Sequence, residues 1–281
     1  MEKVLILGAS GLVGRALINE LNDRFDVYGT YSSTQPSLPE NRQFQLEIQE
    51  IESLQGIIQS IKPDIVISCL RGEFIQQLKF HKELAMELRK MDSRMYYFST
   101  TNVFDGDLSK PHSETDTPIS ESDYGKFKLE CEKMLTEILD ERLVIVRIPA
   151  IWGKDSPRWH EINESIKNNK EITVYSNLVC NNHLDIVLAK QIRYIIENEL
   201  KGIFHLGSTD LMTQAQFYEQ ILSKLEYEGN LLRYTVYQEP KDTGYFTLKS
   251  IRNDLPESLQ YTNEDIISYL LEESNIKVKE K

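Results

Sequence analysis

The stretch Val4-Leu5-Ile6-Leu7-Gly8-Ala9-Ser10-Gly11-Leu12-Val13-Gly14-Arg15-Ala16-Leu17 decides how the chain is read. An apolar run breaks into three glycines and restarts with apolar residues at helical spacing. Strand, glycine turn and helix, in that order, make a dinucleotide site. Gly8 permits the tight turn out of the strand, Gly11 lets the backbone approach a pyrophosphate, and Gly14 lets helix and sheet pack closely. Ser10, Leu12 and Val13 lie between the glycines, where the helix start offers free N–H donors and the positive end of its dipole. The spacing Gly-x-x-Gly-x-x-Gly is one residue off the plain Rossmann fingerprint, and such triplets also occur in ordinary turns. The flanking strand and helix, and the place at the head of the chain, favour the cofactor reading.

A chain of 281 residues, 40% hydrophobic and 27% charged, can bury a sizeable core as one large α/β domain or two smaller ones. A net charge of -12 argues against nucleic acid or an anionic membrane as partner. Cys69, Cys131 and Cys180 form no CxxC pair and read as core thiols in a reducing, cytoplasmic setting. His81, His112, His160, His183 and His205 are scattered without ligand spacing, so no metal site is expected. The apolar run after Met1-Glu2-Lys3 is too short for a signal peptide, and no stretch reaches transmembrane length. The tail 277–281 is expected to fray, and no Gly-x-Ser-x-Gly elbow points to a hydrolase.

Beyond the first helix, Phe25 to Thr30 reads as a second strand whose end selects the cofactor. Selection of NAD calls for an acid there, but Gly29-Thr30-Tyr31-Ser32-Ser33 carries hydroxyls instead. A 2'-phosphate would meet donors from Thr30 and Ser32, with Arg15 in reach, so NADPH is expected and NADH is the second choice. A plain polar loop is the alternative. Further strands are expected at Gln43 to Leu46, Pro63 to Cys69 and Met95 to Phe98, with helices at Ile51 to Ile61 and Glu73 to Met91. This βα alternation predicts a parallel sheet. The last strand ends in Ser99-Thr100-Thr101-Asn102, at the carboxyl edge where open α/β sheets bind ligands. Downstream, Tyr124 and Lys128 stand four apart at the start of a helix expected over Asp123 to Leu139. A dinucleotide loop, a strand-end hydroxyl and a Tyr-x-x-x-Lys pair, in that order, suggest hydride transfer.

These residues resemble the extended branch of the short-chain dehydrogenase/reductase superfamily. Within it, Ser99-Thr100-Thr101-Asn102-Val103-Phe104-Asp105-Gly106 is similar to the Ser-Thr-Asp-Tyr-Val-Phe-Asp-Gly segment of dTDP-4-dehydrorhamnose reductases. Tyr124-Gly125-Lys126-Phe127-Lys128-Leu129-Glu130, Val146 to Gly153 and Gly202 to Gly207 resemble three later segments of that family. The resemblance implies a Rossmann-type doubly wound parallel sheet and an NADPH-dependent reductase of a nucleotide-activated 4-keto-6-deoxysugar, serving cell-surface polysaccharide synthesis. It makes Thr100 the catalytic hydroxyl, Tyr124 the proton donor, and Lys128 both the cation that tunes Tyr124 and a ligand of the nicotinamide ribose. It also places Glu47 near the adenine and Cys69 and Leu70 beside the nicotinamide.

The departures fall in the substrate region. Thr101-Asn102 replaces Asp-Tyr, Ser68-Cys69-Leu70-Arg71-Gly72 replaces Ala-Ala-Tyr-Thr, and Phe246-Thr247-Leu248-Lys249-Ser250 stands where the family carries Arg-Pro-x-x-Ser. Arg71 could hold a substrate phosphate, and is read here as a surface loop residue. Two other functions stay open: a sugar-nucleotide epimerase of the same superfamily, and a regulatory NADP-binding subunit resembling methionine adenosyltransferase beta. Residues 1–150, joined by roughly 184–206, are expected to form the cofactor domain, and the rest of 151–281 a smaller mixed α/β substrate lobe. Strand Tyr234 to Tyr237 and helices Arg158 to Asn168, Thr213 to Leu225 and Asn263 to Leu271 would build that lobe, and helix Leu184 to Glu197 would belong with the cofactor domain. Asn102, Trp152, Lys154 and Arg158, with Trp159, are the expected substrate contacts, an ordinary loop being the alternative. A homodimer is the assembly admitted.

Overall fold

A computed structural model describes residues 1–237 and 242–272; the tail 277–281 lies outside the described residues. The opening run forms β1 (Lys3–Leu7), followed by α1 (Leu12–Leu21), β2 (Asp26–Tyr31), β3 (Gln43–Gln45), α2 (Ile51–Ile61), β4 (Ile65–Ser68), α3 (Phe74–Met91), β5 (Arg94–Thr100), α4 (Asp123–Leu139) and β6 (Leu143–Ile148). Then come β7 (Ala150–Trp152), α5 (Pro157–Asn168), β8 (Ile172–Tyr175), β9 (Leu178–Cys180), β10 (Asn182–Leu184), α6 (Asp185–Glu197), β11 (Gly202–His205), β12 (Met212–Thr213), α7 (Gln214–Lys224), β13 (Leu232–Thr235), β14 (Gly244–Phe246) and α8 (Asn263–Leu271).

Seven strands form one all-parallel sheet in the order β11-β6-β5-β4-β1-β2-β3. Successive residues of a strand face opposite sides, and in a parallel sheet both sides are covered. Thus Val4 and Ile6 of β1 pack under α1 and α6 with Leu17, Ile18, Leu188 and Ile192. Leu5 and Leu7 pack on the other side with Leu54 and Ile58 of α2, Leu84 of α3 and Leu135 of α4. The sheet is parallel, as the βα alternation predicts, and doubly wound, as the resemblance implies.

A third core gathers Trp152, Trp159, Ile162, Val174, Phe217, Ile221 and Ile266, from β7, α5, β8, α7 and α8. Three small sheets, β10-β7, β12-β9-β14 and β13-β8, frame it. The strand expected at Tyr234 to Tyr237 begins earlier, as Leu232–Thr235, because Leu231 and Leu232 are the buried anchors and Tyr234 is more than half exposed. α6 and β11 return from this region to the large sheet, β11 pairing with β6. Among the described residues no helix is long and apolar enough to cross a membrane.

His81, His183 and His205 are buried in this framework as neutral rings. His81 lies between the Ser68 hydroxyl and the Gln77 carbonyl, each at 2.7 Å, and His183 bonds Gln191 at 2.7 Å. Burial pushes His81 down to about 3, helped by Lys128, and His183 and His205 down to about 4. The unfolded chain takes up these protons near pH ~6.5, and the native chain does not. Stability is therefore full above that pH and is lost as pH falls towards 4, by up to about 1.4 kcal/mol per pH unit for each histidine. Urea unfolding measured from pH 7.5 to 4.5 should show this fall beginning near pH ~6.5, and a flat profile down to pH ~5 would contradict it.

Candidate active site

The three glycines serve distinct steric purposes. Gly8 has φ +81°, a conformation open to glycine, and a Cβ on it would meet the Cys69 carbonyl oxygen at 3.3 Å. A Cβ on Gly14 would lie 2.4 Å from the Gly8 carbonyl oxygen, so only glycine lets α1 pack on the turn. Gly11 caps α1 without a side-chain hydrogen bond, which leaves first-turn N–H groups, including those of Leu12 and Val13, for an anion. Cys69 donates its N–H to Leu7 at 3.0 Å, and Leu70 packs 3.6 Å from the same Gly8 position, so both border the turn. An uncapped helix start beside a cradle too tight for side chains fits a dinucleotide pyrophosphate.

Two residues expected to meet a 2'-phosphate are placed differently. The buried Thr30 hydroxyl accepts the Gly8 N–H at 3.2 Å, so it supports the glycine turn instead of facing a ribose. Arg15 donates to the Ser10 carbonyl at 3.0 Å and lies 3.5 Å from Asp155, which turns its guanidinium across the start of α1. Ser32 remains exposed at the end of β2, but its hydroxyl donates to Glu47 at 2.6 Å. An acid missing from the β2 sequence thus arrives there from after β3.

At the carboxyl edge, β5 delivers Thr100 and α4 delivers Tyr124 and Lys128. Thr100 is 8% exposed and donates to the Asn102 side-chain oxygen at 3.0 Å, and its hydroxyl bears on the Tyr124 phenol. Tyr124 is 39% exposed, so the pair opens to solvent on one side. Lys128 is buried beneath, its ammonium donating to the Phe98 carbonyl at 2.9 Å and lying 4.6 Å from the Tyr97 ring centroid. Burial pushes Lys128 down to about 8. Burial also raises the Tyr124 phenol, opposed by the Arg71 guanidinium and then by the Thr100 hydrogen bond. Arg71, read from the sequence as a surface loop residue, therefore bears on the phenol, beside Lys128, whose ammonium lies 6.0 Å from the Tyr124 ring centroid. No sequence signal marks Arg71, because it comes from a different loop.

Two features bring β5 and α4 together. Asp105 accepts the Ser120 hydroxyl at 2.8 Å, the Glu121 N–H at 2.6 Å and the Ser122 hydroxyl, tying the turn after β5 to the N-terminus of α4. Those bonds outweigh its burial and hold the carboxyl below its usual range. Gly125 then lets the helix touch that turn, since a Cβ there would lie 2.2 Å from the Asn102 carbonyl oxygen and 2.1 Å from the Ser120 hydroxyl.

Of the expected substrate contacts, Asn102 is at the site through its bond to Thr100. The Trp152 indole is a correction: it is buried and donates to Asn182 at 2.8 Å, so it offers a diphosphate nothing. Trp159 is buried in the third core, the Lys154 ammonium lies 4.7 Å from the Tyr269 ring centroid, and Arg158 is exposed at the start of α5. The Gly125 contact predicts that Gly125→Ala costs about 1–3 kcal/mol. Gly56, in the interior of α2 with no atom within 4 Å of where a Cβ would stand, gives the control, where Gly56→Ala should gain up to about 1 kcal/mol. Equal effects of the two changes in urea unfolding would contradict the close approach.

The family description "RmlD substrate binding domain" matches residues 73–243. The methionine adenosyltransferase 2 subunit beta of Danio rerio is 27% identical over 244 residues, covering 76% of this chain and 71% of its own. A probable low-salt glycan biosynthesis reductase of Haloferax volcanii is 21% identical, covering 82% of this chain and 83% of its own. The dTDP-4-dehydrorhamnose reductase of Bacillus anthracis, solved in complex with NADP, superposes with a TM-score of 0.78 at 23% identity, over 96% of this chain and 99% of that one. The superposition extends the shared fold across nearly the whole chain, and the match over residues 73–243 takes in α3, Thr100, Tyr124 and Lys128: the chain belongs to the RmlD substrate binding domain family.

Proposed function

We infer that the protein is an NADPH-dependent reductase of a nucleotide-activated 4-keto-6-deoxysugar. The observation that carries this reading is the hydroxyl pair of Thr100 and Tyr124, opening to solvent at the carboxyl edge of the sheet above the buried Lys128. A bound nicotinamide dinucleotide supplies the hydride. Its pyrophosphate would be held by the N–H groups at the start of α1, with Gly8, Gly11 and Gly14 making room and Cys69 and Leu70 bordering the turn. Tyr124 gives its phenolic proton to the carbonyl oxygen as negative charge develops there, and Thr100 holds that oxygen by a hydrogen bond. A phenol raised by burial is protonated at neutral pH, which is the form a reduction needs. Arg71 then stabilises the phenolate left behind.

The sugar nucleotide would lie between this edge and the remainder of 151–281, the substrate lobe, with Lys154 and Arg158 as cations available to its diphosphate. The relative named methionine adenosyltransferase 2 subunit beta favours a second reading, a subunit that binds the dinucleotide and regulates a partner enzyme. The altered segments Thr101-Asn102 and Phe246 to Ser250 are consistent with that role.

Turnover separates the two. Wild-type protein should oxidise NADPH in the presence of a dTDP-4-keto-6-deoxysugar, and Tyr124→Phe should lose about 100-fold or more in kcat while NADPH affinity stays within about twofold. NADPH binding by the wild type without any turnover would favour the regulatory subunit. NADPH should also bind more tightly than NADH, and Glu47→Gln should widen that preference by removing a carboxylate beside Ser32. Reversed dissociation constants would make NADH the cofactor.

A further inference from the structure

Tyr124, Lys128 and Glu132 follow at intervals of four along one face of α4. Glu132 is 5% exposed and Arg147 of β6 is 3% exposed. The guanidinium grips the carboxylate with both arms, Nε to Oε1 at 3.0 Å and Nη2 to Oε2 at 2.7 Å. Its remaining arm lies 3.3 Å from His205 Nε2 of β11, and its plane lies 5.2 Å from the Phe104 ring centroid. His205 in turn donates from Nδ1 to the His112 carbonyl at 3.0 Å, the oxygen that also accepts the Lys249 N–H at 2.7 Å. With Nδ1 as donor, Nε2 is free to accept from Arg147, in keeping with a neutral ring.

A buried ion pair is a poor source of stability, since apolar side chains of similar volume commonly do as well. Its use must lie in what it holds in place. We propose that Glu132 is a positioning residue for the reaction: clamped by Arg147, its carboxylate supplies the counter-charge for the Lys128 ammonium and fixes the helix face that presents Tyr124. This rests on the reductase reading only for its effect on rate. The effect on Lys128 is a property of the chain itself.

Lys128 is faced by Cys131 and Glu132 from its own helix, by Cys69 at the end of β4, by Arg71 in the next loop, by His81 of α3 and by the Tyr97 ring of β5. Burial lowers Lys128 most. Cys131, Glu132 and Cys69 oppose that fall, and Arg71 adds to it. Among these opposing groups Glu132 is the carboxylate, the others being thiols that burial pushes up and keeps neutral.

The test follows Lys128 directly, by NMR titration of 13C-labelled lysine ε-carbons in the ligand-free full-length protein, with the Lys128 signal assigned by its loss in Lys128→Met. Wild type should titrate near 8, and Glu132→Gln should titrate lower. NADPH affinity should then fall by roughly threefold or more at pH ~8 and be unchanged at pH ~6, where the lysine is charged in both proteins. Glu132→Asp, which keeps the charge, should recover most of the wild-type titration. Because Glu132→Gln strands a buried guanidinium, the double variant Glu132→Gln/Arg147→Met is the companion, removing both charges at once. A folded double variant that still titrates lower supports the positioning role. A folded double variant with the wild-type Lys128 titration would overturn it, since the pair would then be structural. A chain that binds NADPH without turnover would instead remove the reductase reading and leave the Lys128 result standing.

Discussion

The site depends on a side chain that is absent. At Gly125 the first turn of α4 comes so close to the turn after β5 that no Cβ fits between them. That contact is made one residue after Tyr124 and two residues after Thr100, in the turn that follows β5, so it brings the two hydroxyl-bearing residues together. Asp105 closes the same joint by accepting from Ser120, Glu121 and Ser122. The steric contact limits the approach, and the hydrogen bonds hold the two elements at that limit. Arg147 and Glu132 then hold the following turns of α4 against β6, so the helix is secured along its length rather than at its tip alone.

In a chain of net charge -12, the placing of the cations around the site matters more than their number. Lys128 is buried against a carbonyl and an aromatic face, which keeps it from wandering to surface carboxylates. Arg15 is shared between a backbone carbonyl and Asp155. Arg71 is exposed on the loop between β4 and α3, a loop fixed by Gly72 at φ +146°, by the Gln77 bond to the Gly72 carbonyl at 2.7 Å, and by Glu73 capping α3. A flexible side chain is thus carried on a stiff loop, next to the phenol whose charge it opposes.

Much of the fold was legible in the sequence because long buried elements carry strong periodicity. α2 and α4 occupy the predicted Ile51–Ile61 and Asp123–Leu139, and the strand-turn-helix at the head of the chain has the predicted form. Strands β7, β8, β9, β10, β12 and β14 were not read, since runs of two to four residues offer no period to detect. Residue types that create a ligand site showed in the sequence; the bonds that consume or redirect them did not. Thr30, Trp152 and Arg15 each looked available, and each is engaged by a partner distant in sequence or by backbone that only the folded chain brings near. Glu47 and Arg71 were understated for the same reason, because their influence at Ser32 and Tyr124 crosses between loops.

The central claim is that Tyr124 protonates a ketone held by Thr100 while a dinucleotide reduces it, and isotope transfer tests it most directly. NADPH carrying deuterium at both C4 positions would be incubated with a dTDP-4-keto-6-deoxysugar, and the sugar product analysed by mass spectrometry. One deuterium on the sugar carbon that was the ketone is the result the account predicts. Unlabelled, unreduced sugar in the presence of protein saturated with NADPH would contradict it.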